Sequence, residues 1–347
     1  MSSNVHVAVL GASGYTGGEM LRLLNNHPAC KPVALTGERH AGMALGNIFP
    51  NFVNSGLPDL IRLEQVNWEE IEVVFCCLPH GKTHEVVKSL PDKIKIIDLS
   101  ADFRFSNVTK YESVYGVKHA AKKLQEEAVY GLTEFFKNEI SQAKLVACPG
   151  CYPTGAQIPL IPLFEQNLIL PNNIVIDAKS GVSGAGRELK QDFLFSEINE
   201  NFRAYGVGVH RHGPEIEQRL SIAYGQNVQI NFTPHIVPIT RGILTTIYVN
   251  LKSGQDINDI RQCLIKRFNN EPFVDVLDEG TNPSIKNVHG TNRCLISVFQ
   301  GRLQDQAVII SVIDNLIKGS AGQALQNFNL MYGFNEVTGL ENESIFP

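Results

Sequence analysis

The first half of the chain alternates short, continuously apolar segments with segments of helical pattern. The apolar segments indicate buried strands and lie at Val5–Leu10, Pro32–Thr36, Ile71–Leu78, Ile94–Leu99 and Lys144–Cys148. Continuous apolar strands separated by helices predict a parallel sheet that is covered on both faces. The pattern is typical of a Rossmann-type, doubly wound domain that binds a dinucleotide.

The pattern changes after residue 151. Long β-rich segments with alternating polar positions follow at Val228–Val237, Gly242–Leu251, Cys294–Gly301 and Ala307–Asp314. They predict a second, α+β domain built on a mixed or antiparallel sheet. A last helix, about Ser320–Met331, is expected to return to the first domain. The expected division is residues 1–150, completed by about 315–347, for nucleotide binding, and 151–314 for catalysis and dimerisation.

Composition narrows the function to small-molecule chemistry. The 347 residues are 43% hydrophobic and 19% charged, which is ordinary for a globular protein. The net charge of −5 disfavours a nucleic-acid surface, and no apolar run approaches the roughly 20 residues that span a bilayer. The N-terminus has neither a signal-peptide nor a transit-peptide pattern, so we expect a cytoplasmic protein without membrane partners. The long β-rich second half suggests a homo-oligomer, a dimer or a tetramer.

A glycine-rich segment, Gly11–Gly17, follows the first predicted strand and begins the first helix. Its G-x-x-G-x-x-G spacing permits a tight turn and lets backbone N–H groups approach a pyrophosphate, although a plain strand-to-helix turn is the alternative. The second strand ends at Thr36 and is followed by Glu38 and Arg39. A carboxylate there binds a ribose 2′-hydroxyl and an arginine binds a 2′-phosphate. We favour NADP through Arg39, with Thr36 as a hydroxyl donor, over a merely solvated arginine.

A candidate nucleophile, Cys151, follows the strand that ends at Cys148. Pro153 suits the first turn of a helix that runs to about Phe164. The sulfur then lies at a helix N-terminus, where partial positive charge favours a thiolate that can attack an activated carbonyl. The seven cysteines, an odd number, indicate reduced thiols. A redox pair with Cys148 or a buried structural thiol remains an alternative; no metal site is expected, because no second C-x-x-C or His pair has zinc-ligand spacing.

A histidine pair provides the candidate base. His210 and His212 are two residues apart and share one side of an extended segment. Pro214 and Glu215 indicate a helix that begins there and reaches Tyr224. His212 would precede the helix N-terminus, which keeps the imidazole neutral and able to accept a proton. His210 is the second choice, and a structural histidine is the alternative.

Two further segments carry candidate anion-binding residues. The run Ser180–Arg187 contains small residues, among them Ser183 and Gly184, that let a flat ring or a phosphate approach the backbone. Arg187 adds charge. Ser100 and Arg104 follow the strand Ile94–Leu99, where a doubly wound sheet binds ligands, and the two arginines could clamp a carboxylate or a phosphate. A structural ion pair is the alternative for each.

Seven segments, spread in order along the chain, together resemble the N-acetyl-γ-glutamyl-phosphate reductase family, a relative of aspartate-semialdehyde dehydrogenase. They are Gly11–Gly17 (GASGYTG), Cys77–Gly81 (CLPHG), Asp98–Arg104 (DLSADFR), Pro149–Thr154 (PGCYPT), Ser180–Arg187 (SGVSGAGR), His210–Ile216 (HRHGPEI) and Pro234–Leu244 (PHIVPITRGIL). The resemblance implies Cys151 as nucleophile, His212 as acid/base and Arg211 as a substrate residue. It implies cofactor contacts at Gly11, Ser13, Gly14, Tyr15, Thr16, Gly17, Leu78, Pro79, Ser183, Gly184 and Asn315.

The resemblance implies an activity: NADPH-dependent reduction of N-acetylglutamyl 5-phosphate to the semialdehyde and phosphate, in arginine biosynthesis, through a thioester on Cys151. A related reductase of aspartyl or aminoadipyl phosphate is the alternative within the enzyme class, and a non-catalytic NADP-sensing protein is the alternative outside it. The family often has Asn three positions before the nucleophile, where this chain has Cys148. We therefore consider the hypothesis that Cys148 and Cys151 form a reversible, inactivating disulfide.

Overall fold

The computed structural model describes residues 4–345. The described chain divides into two compact units. The first contains residues 4–149 and Ser320–Asn342, and the second contains Gly150–Gly319 and residues 343–345. Residues 315–319, which the sequence analysis assigns to the first domain, group with the second unit, because Asn315 and Gly319 contact residues there.

The helices lie between and after the strands of both units. In chain order they are α1 (Tyr15–Leu24), α2 (Thr83–Val87), α3 (Val108–Tyr115), α4 (Lys122–Glu127), α5 (Lys137–Gln142), α6 (Cys151–Glu165), α7 (Phe195–Ile198), α8 (His212–Tyr224), α9 (Ile257–Phe268) and α10 (Gly322–Met331). Helix α8 begins at His212, two residues before the predicted start at Pro214. His212 is thus the first residue of the helix rather than the residue before it.

The first unit is built on a parallel sheet. Its strands are β1 (Val5–Leu10), β2 (Cys30–Thr36), β3 (Leu60–Ile61), β4 (Val73–Cys76), β5 (Lys95–Asp98), β6 (Val129–Tyr130) and β7 (Leu145–Ala147). They follow the order β3-β2-β1-β4-β5-β7-β6, and all the neighbouring pairs are parallel. Strand β4 is buried throughout, as expected for a parallel sheet that is covered on both faces. The predicted Rossmann-type fold is confirmed.

Helix α10 completes the first unit. Its Asn327 accepts a hydrogen bond from Thr133 Oγ1 at 2.7 Å and donates one to Gly131 O at 2.9 Å. The ring of Phe328 packs on Phe75 of β4, with centroids 5.9 Å apart. The last long helix therefore belongs with the nucleotide-binding sheet although 170 residues of the second unit, Gly150–Gly319, separate them in sequence.

The second unit is built on a mixed sheet, as predicted. Its strands are β8 (Ile174–Gly181), β9 (Arg203–Ala204), β10 (Ile230–Val237), β11 (Ile243–Asn250), β12 (Val274–Val276), β13 (Cys294–Gln300) and β14 (Gln306–Ile313). They follow the order β12-β13-β14-β11-β8-β10-β9. Strand β8 pairs parallel with β10 and antiparallel with β11. Helices α6, α8 and α9 contact strands of this sheet.

The other face of this sheet is only half covered. Asp177 on β8 pairs in register with Thr246 on β11 and Thr233 on β10, and Thr246 pairs with Ile310 on β14. These four side chains are half-buried, and Tyr248 on the same face is 36% exposed. We call this row, with its neighbours on the same face, the open sheet face.

Candidate active site

Cys151 is the first residue of α6, directly after a turn that follows β7. Gly150 is the residue before the helix and has extended backbone angles. Pro153 lies in the first turn, where a missing N–H group leaves no hydrogen bond unmade. The Cys151 side chain is half-buried and borders a cavity. Its sulfur therefore lies at the positively polarised end of a helix, as predicted, and is open to a ligand.

A buried carboxylate fixes the start of this helix. Glu215, in the first turn of α8, is fully buried, and its Oε1 accepts a hydrogen bond from Gly150 N–H at 2.9 Å. Gln157 of α6 donates from Nε2 to the Glu215 carbonyl oxygen at 3.1 Å. These two bonds join the beginnings of α6 and α8. They bring the histidines at the start of α8 to the same cavity as Cys151.

The cavity has a volume of about 190 Å³ and lies entirely within the second unit. Its lining includes five residues that the sequence predicts for the site, namely Cys151, Gly184, His210, Arg211 and His212. It also includes residues without a predicted role: Tyr152, Ser180, Ala185, Lys190, Phe193, Tyr205 and Ile236. A thiol, two imidazoles and two cationic side chains thus face one small space.

The two histidines are joined by a hydrogen bond and a ring contact. The backbone N–H of His212 donates to His210 Nδ1 at 3.2 Å, and the ring centroids are 4.9 Å apart. Burial, followed by the positive charge of Arg211, lowers the pKa of His210 to about 4. The His210 ring is therefore neutral near pH 7. Because its Nδ1 accepts a hydrogen bond, its proton is on Nε2.

Two tyrosine hydroxyls lie next to the histidines. Tyr205 donates to the Tyr152 hydroxyl at 3.0 Å, and the Tyr152 ring contacts those of His210 and His212 with centroids 5.7 Å and 5.8 Å apart. Burial, the largest cause, raises the pKa of Tyr205 to about 12. Tyr205 therefore keeps its proton near pH 7 and donates it in the hydrogen bond to Tyr152.

Asn315, predicted to contact the cofactor, joins two turns of the second unit. Its Oδ1 accepts from Gly242 N–H at 2.7 Å, and its Nδ2 donates to Ser183 Oγ at 3.0 Å. Ser183 is buried, whereas Gly184 is exposed at the cavity and Arg187 is exposed. Asn315 therefore holds the 3-10 turn Val182–Ala185 in place at the cavity edge.

The glycine-rich turn of the first unit has a tight backbone shape that suits phosphate binding. A Cβ on Gly17 would stand 2.3 Å from Gly11 O, and one on Gly11 would stand 2.5 Å from Cys77 O. Gly11 also has a φ of +77°, which favours glycine. Helix α1 begins at Tyr15, directly after Gly14, so that Ser13, Gly14, Tyr15 and Thr16 form the helix start. This tight turn before a helix N-terminus fits a dinucleotide pyrophosphate.

The candidate ribose-binding residues Thr36, Glu38 and Arg39 differ in their hydrogen bonds and in their exposure. The hydroxyl of buried Thr36 accepts from Gly11 N–H at 3.2 Å, so Thr36 supports the glycine turn directly. Arg39 is exposed just beyond β2, in a short 3-10 turn. Glu38 Oε1 accepts from the Leu63 N–H at 3.2 Å. Both charged side chains are exposed, but only the glutamate has a hydrogen bond within the described residues 4–345.

The remaining predicted residues of the first unit lie at the carboxyl ends of its strands. Leu78 contacts the glycine turn, because a Cβ on Gly11 would stand 3.5 Å from its Cδ2, and Pro79 is exposed. Ser100 is buried and donates to Asp98 Oδ2 at 3.0 Å. Arg104 is also buried and donates to Cys148 O at 2.8 Å and to Leu99 O at 3.1 Å. These bonds give Ser100 and Arg104 structural roles in the first unit.

Cys148 differs from Cys151 in its surroundings. It is buried, its sulfur accepts a hydrogen bond from Asn327 Nδ2 at 3.7 Å, and burial raises its pKa to about 12. A buried, protonated thiol attacks a disulfide or a sulfenic acid poorly. The geometry therefore disfavours the hypothesis of a reversible Cys148–Cys151 disulfide.

Residues 4–345 contain no group of three or more His, Cys, Asp or Glu side chains that could hold a metal ion. Within the same range no helix has the length and apolar character needed to cross a bilayer.

Sequence reasoning missed Tyr205, Lys190 and Glu215 as residues of this site. Glu215 is predicted only as part of a helix start, because nothing in the local sequence shows that its carboxylate is buried against Gly150. Lys190 follows the small-residue run ending at Arg187 by three positions, which is a weak signal for a second cation. Tyr205 has no local signal, because only the tertiary structure brings it to the cavity.

Two family models match the chain. The one described as "Semialdehyde dehydrogenase, NAD binding domain" matches residues 6–143. The one described as "Semialdehyde dehydrogenase, dimerisation domain" matches residues 151–315. Together they cover most of both units.

Two curated relatives are similar over nearly the full length. "Probable N-acetyl-gamma-glutamyl-phosphate reductase, chloroplastic" from Arabidopsis thaliana is 51% identical over 344 residues, which are 99% of this chain and 86% of the relative. "N-acetyl-gamma-glutamyl-phosphate reductase" from Rhodospirillum rubrum is 49% identical over 352 residues, with 100% of both chains covered.

Solved structures share the fold at low identity. Aspartate semialdehyde dehydrogenase II from Vibrio cholerae, complexed with ASA, has a TM-score of 0.73 at 16% identity and covers 96% of this chain and 99% of its own. Aspartate semialdehyde dehydrogenase with NADP from Candida albicans has a TM-score of 0.67 at 17% identity, over 95% and 99%. This likeness bears on the fold and agrees with the two sheets described above.

Proposed function

This chain belongs to the N-acetyl-gamma-glutamyl-phosphate reductase family, and from that membership we propose that it reduces N-acetylglutamyl 5-phosphate to N-acetylglutamate 5-semialdehyde and phosphate with NADPH, in arginine biosynthesis. The observation that carries the proposal is the cavity in which Cys151, at a helix N-terminus, faces His210, His212 and Arg211. A thiol, an imidazole pair and a cation are the groups that acyl transfer from a phosphate requires.

Cys151 acts as the nucleophile. Its thiolate attacks the acyl carbon, the bond from that carbon to the phosphate oxygen breaks, and phosphate leaves with the electron pair. The product is a thioester on Cys151. When bound, NADPH supplies the hydride that reduces the thioester carbon. Collapse of the resulting oxyanion releases the aldehyde and returns the thiolate.

His212 manages the proton. It accepts the thiol proton before the attack and then donates a hydrogen bond to the developing oxyanion. The net reaction takes up one proton, which ends on the released phosphate; His212 can pass the proton taken from the thiol to this leaving group. His210, held neutral by burial, provides a further donor at the cavity.

Cationic groups at the cavity bind the substrate anions. Arg211 and Lys190 both line it, and Arg211 is close enough to lower the pKa of His210. Two cations suit a substrate that carries a carboxylate and a phosphate. Arg187 lies exposed beyond the same turn, whereas the backbone bonds of buried Arg104 make it the weaker candidate.

NADP is the cofactor that the first unit suits best. The crowding at Gly11 and Gly17 leaves backbone N–H groups of the turn as the pyrophosphate site. Exposed Arg39 is available for a 2′-phosphate, while Glu38 is engaged with the N–H of Leu63. This contrast supports NADP over NAD.

The protein forms a homo-oligomer through its second unit. The open sheet face carries Thr233, Thr246, Ile310 and the 36% exposed Tyr248 beside Asp177, and a family model described as a dimerisation domain matches residues 151–315. A half-exposed face of this mixed composition is suited to burial against an identical copy.

The cytoplasm is the compartment that suits this chemistry. The mechanism requires Cys151 to remain a thiol, and the seven cysteines, which all lie within residues 4–345, form no disulfide there. A reducing compartment maintains that state.

The reverse reaction tests the proposed function. N-acetylglutamate semialdehyde, NADP and phosphate are mixed with the enzyme, and absorbance of the reduced nicotinamide is followed. We expect NADPH to form only when phosphate is present, and aspartate semialdehyde to be a poor replacement. Equal or higher turnover of aspartate semialdehyde would contradict the substrate assignment, and no turnover of either would contradict the enzyme class.

A further inference from the structure

A π-helical turn, Ile317–Ala321, follows β14. Such turns are rare and frequently occur at functional sites. The N–H of Gly319 donates to Asp314 O, five residues earlier, at 3.0 Å. The fully buried Asp314 carboxylate fixes the approach to the turn, because it accepts from Leu316 N–H and from Gly290 N–H at 2.9 Å each. The position of Gly319 is therefore set by several bonds.

Gly319 lies directly against the nucleophile. A Cβ on Gly319 would stand 2.7 Å from Cys151 Cβ and 3.2 Å from Cys151 Cα. Optimal carbon–carbon contacts are about 3.5–4.0 Å, so no carbon atom fits there unless something moves. Cα and Cβ at the start of a helix cannot rotate away as the end of a long side chain can. The next neighbour, Ile313 Cδ1, would be 3.4 Å away.

The backbone conformation does not explain this glycine. The glycines with positive φ do not include Gly319, so another residue could adopt its backbone angles. The close approach to Cys151 is the only described feature that requires the absence of a side chain.

We propose that Gly319 is a positioning residue for the nucleophile: the π turn packs through Gly319 on the Cβ of Cys151 and so fixes the direction in which the sulfur points into the cavity. The proposal depends on the proposed function in taking Cys151 as the reacting group. Displacement of a reacting atom by about 1 Å can cost roughly 100-fold in rate. One methyl group at Gly319 is enough for a shift of this size.

Gly319→Ala in the full-length enzyme tests the effect on the sulfur. We expect kcat to fall by at least ~10-fold, and alkylation of Cys151 by iodoacetamide, followed by mass spectrometry of its peptide, to change in rate and in pH profile. Gly155→Ala is the matched control on the same helix, one turn further on. Its Cβ would stand 3.2 Å from Thr245 Oγ1, and no Cys151 side-chain atom is among its three nearest neighbours, so the alkylation rate of Cys151 in this variant should match wild type. Wild-type kcat and alkylation in Gly319→Ala would overturn the proposal.

Ile313 provides a control that shows which neighbour the added methyl group meets. Ile313→Val removes Cδ1, which is the other atom near the added methyl group. Combined with Gly319→Ala, it should leave the alkylation of Cys151 altered. Recovery of the wild-type rate would mean that the methyl group meets Ile313 rather than Cys151, and would overturn the proposal.

Thermal stability gives a test that needs no activity. Cys151→Gly removes the Cβ that the added methyl group would meet. Gly319→Ala should lower Tm in the wild-type background and lower it less in the Cys151→Gly background, because contacting sites are not additive and only the 2.7 Å contact with Cβ is removed. An equal loss of Tm in both backgrounds would overturn the proposal. A wild-type enzyme inactive on N-acetylglutamate semialdehyde would instead overturn the proposed function and leave this coupling intact.

Discussion

The surroundings of His210 and Tyr205 set the protonation state of each side chain near pH 7. Burial and Arg211 lower the pKa of His210 to about 4, whereas burial raises that of Tyr205 to about 12. Near pH 7 the imidazole is therefore uncharged and the phenol keeps its proton. Neither ring adds a charge next to Cys151, so Arg211 and Lys190 dominate the field that a substrate anion meets.

The pKa of His210 predicts acid sensitivity. The folded-state value of about 4 lies below the ordinary 6.5, so the unfolded chain binds more protons between these values and stability falls as pH falls through that window. His210→Asn keeps an acceptor for the His212 N–H but does not titrate. Between pH 7 and pH 5, wild type should lose roughly 1 kcal/mol more unfolding free energy than the variant, allowing for partial solvent access. Urea unfolding at both pH values measures this, and parallel losses would contradict it.

Cys151→Ser tests the nucleophile. The hydroxyl keeps the shape of the side chain but is far less nucleophilic than a thiolate, so activity should fall by several orders of magnitude. NADPH affinity, measured by fluorescence titration, should change by less than about two-fold, since the glycine turn belongs to the other unit. Substantial turnover in the variant would refute the covalent mechanism.

Among the elements, buried strands were the most predictable from sequence. Val5–Leu10 matches β1, and Ala307–Asp314 is shifted by one residue from β14. Continuous or alternating apolar residues predict such strands, because a strand with one or both faces buried requires that pattern. Very short strands such as β3, with two residues, have too little pattern to detect.

Helix starts were less predictable. Helix α1 begins at Tyr15 and includes Gly17 and Gly18 despite glycine's low helix propensity. The close approach of Gly17 to Gly11 O requires a glycine at that position. The last helix was expected from Ser320 and begins instead as the π turn Ile317–Ala321, which local sequence does not distinguish from an α-helix.

The candidate site was predictable where motifs are local. Cys151 and His212 each begin a helix, and both helix starts leave a signal in the sequence. Tyr205 reaches the cavity only through packing, and the bond from Glu215 to Gly150 spans 65 residues. Such long-range contacts have no periodic signature in a single sequence.

The glycine turn gives a prediction at the scale of the β1–α1 element. Gly17→Ala would force a Cβ to within 2.3 Å of Gly11 O, so the turn must open and its N–H groups must leave their positions. We expect NADPH affinity to fall by ~10-fold or more, about 1.4 kcal/mol, with little change in the alkylation rate of Cys151. Fluorescence titration measures the first quantity. An unchanged dissociation constant would show that the turn does not hold the cofactor.

For the whole molecule, the open sheet face predicts the assembly. Ile310→Asp places a charge in the middle of this half-buried face, and an interface buried there would not tolerate it. We expect light scattering coupled to gel filtration to report a smaller species than for wild type. Val53→Asp, at a 60% exposed apolar position of the first unit, is the matched control and should leave the mass unchanged. A wild-type mass for Ile310→Asp would contradict the proposed interface.

The contact between Gly319 and Cys151 has a consequence for how the polypeptide can be cut and rejoined. It brings the two ends of the segment Gly150–Gly319 side by side. That segment is therefore an insertion between two parts of the first unit. Its removal leaves a gap that a short peptide of a few glycines can close. What would remain is a small nicotinamide-dinucleotide-binding domain without the reactive sulfur. Insertion of a different catalytic segment at the same point would give this domain another chemistry.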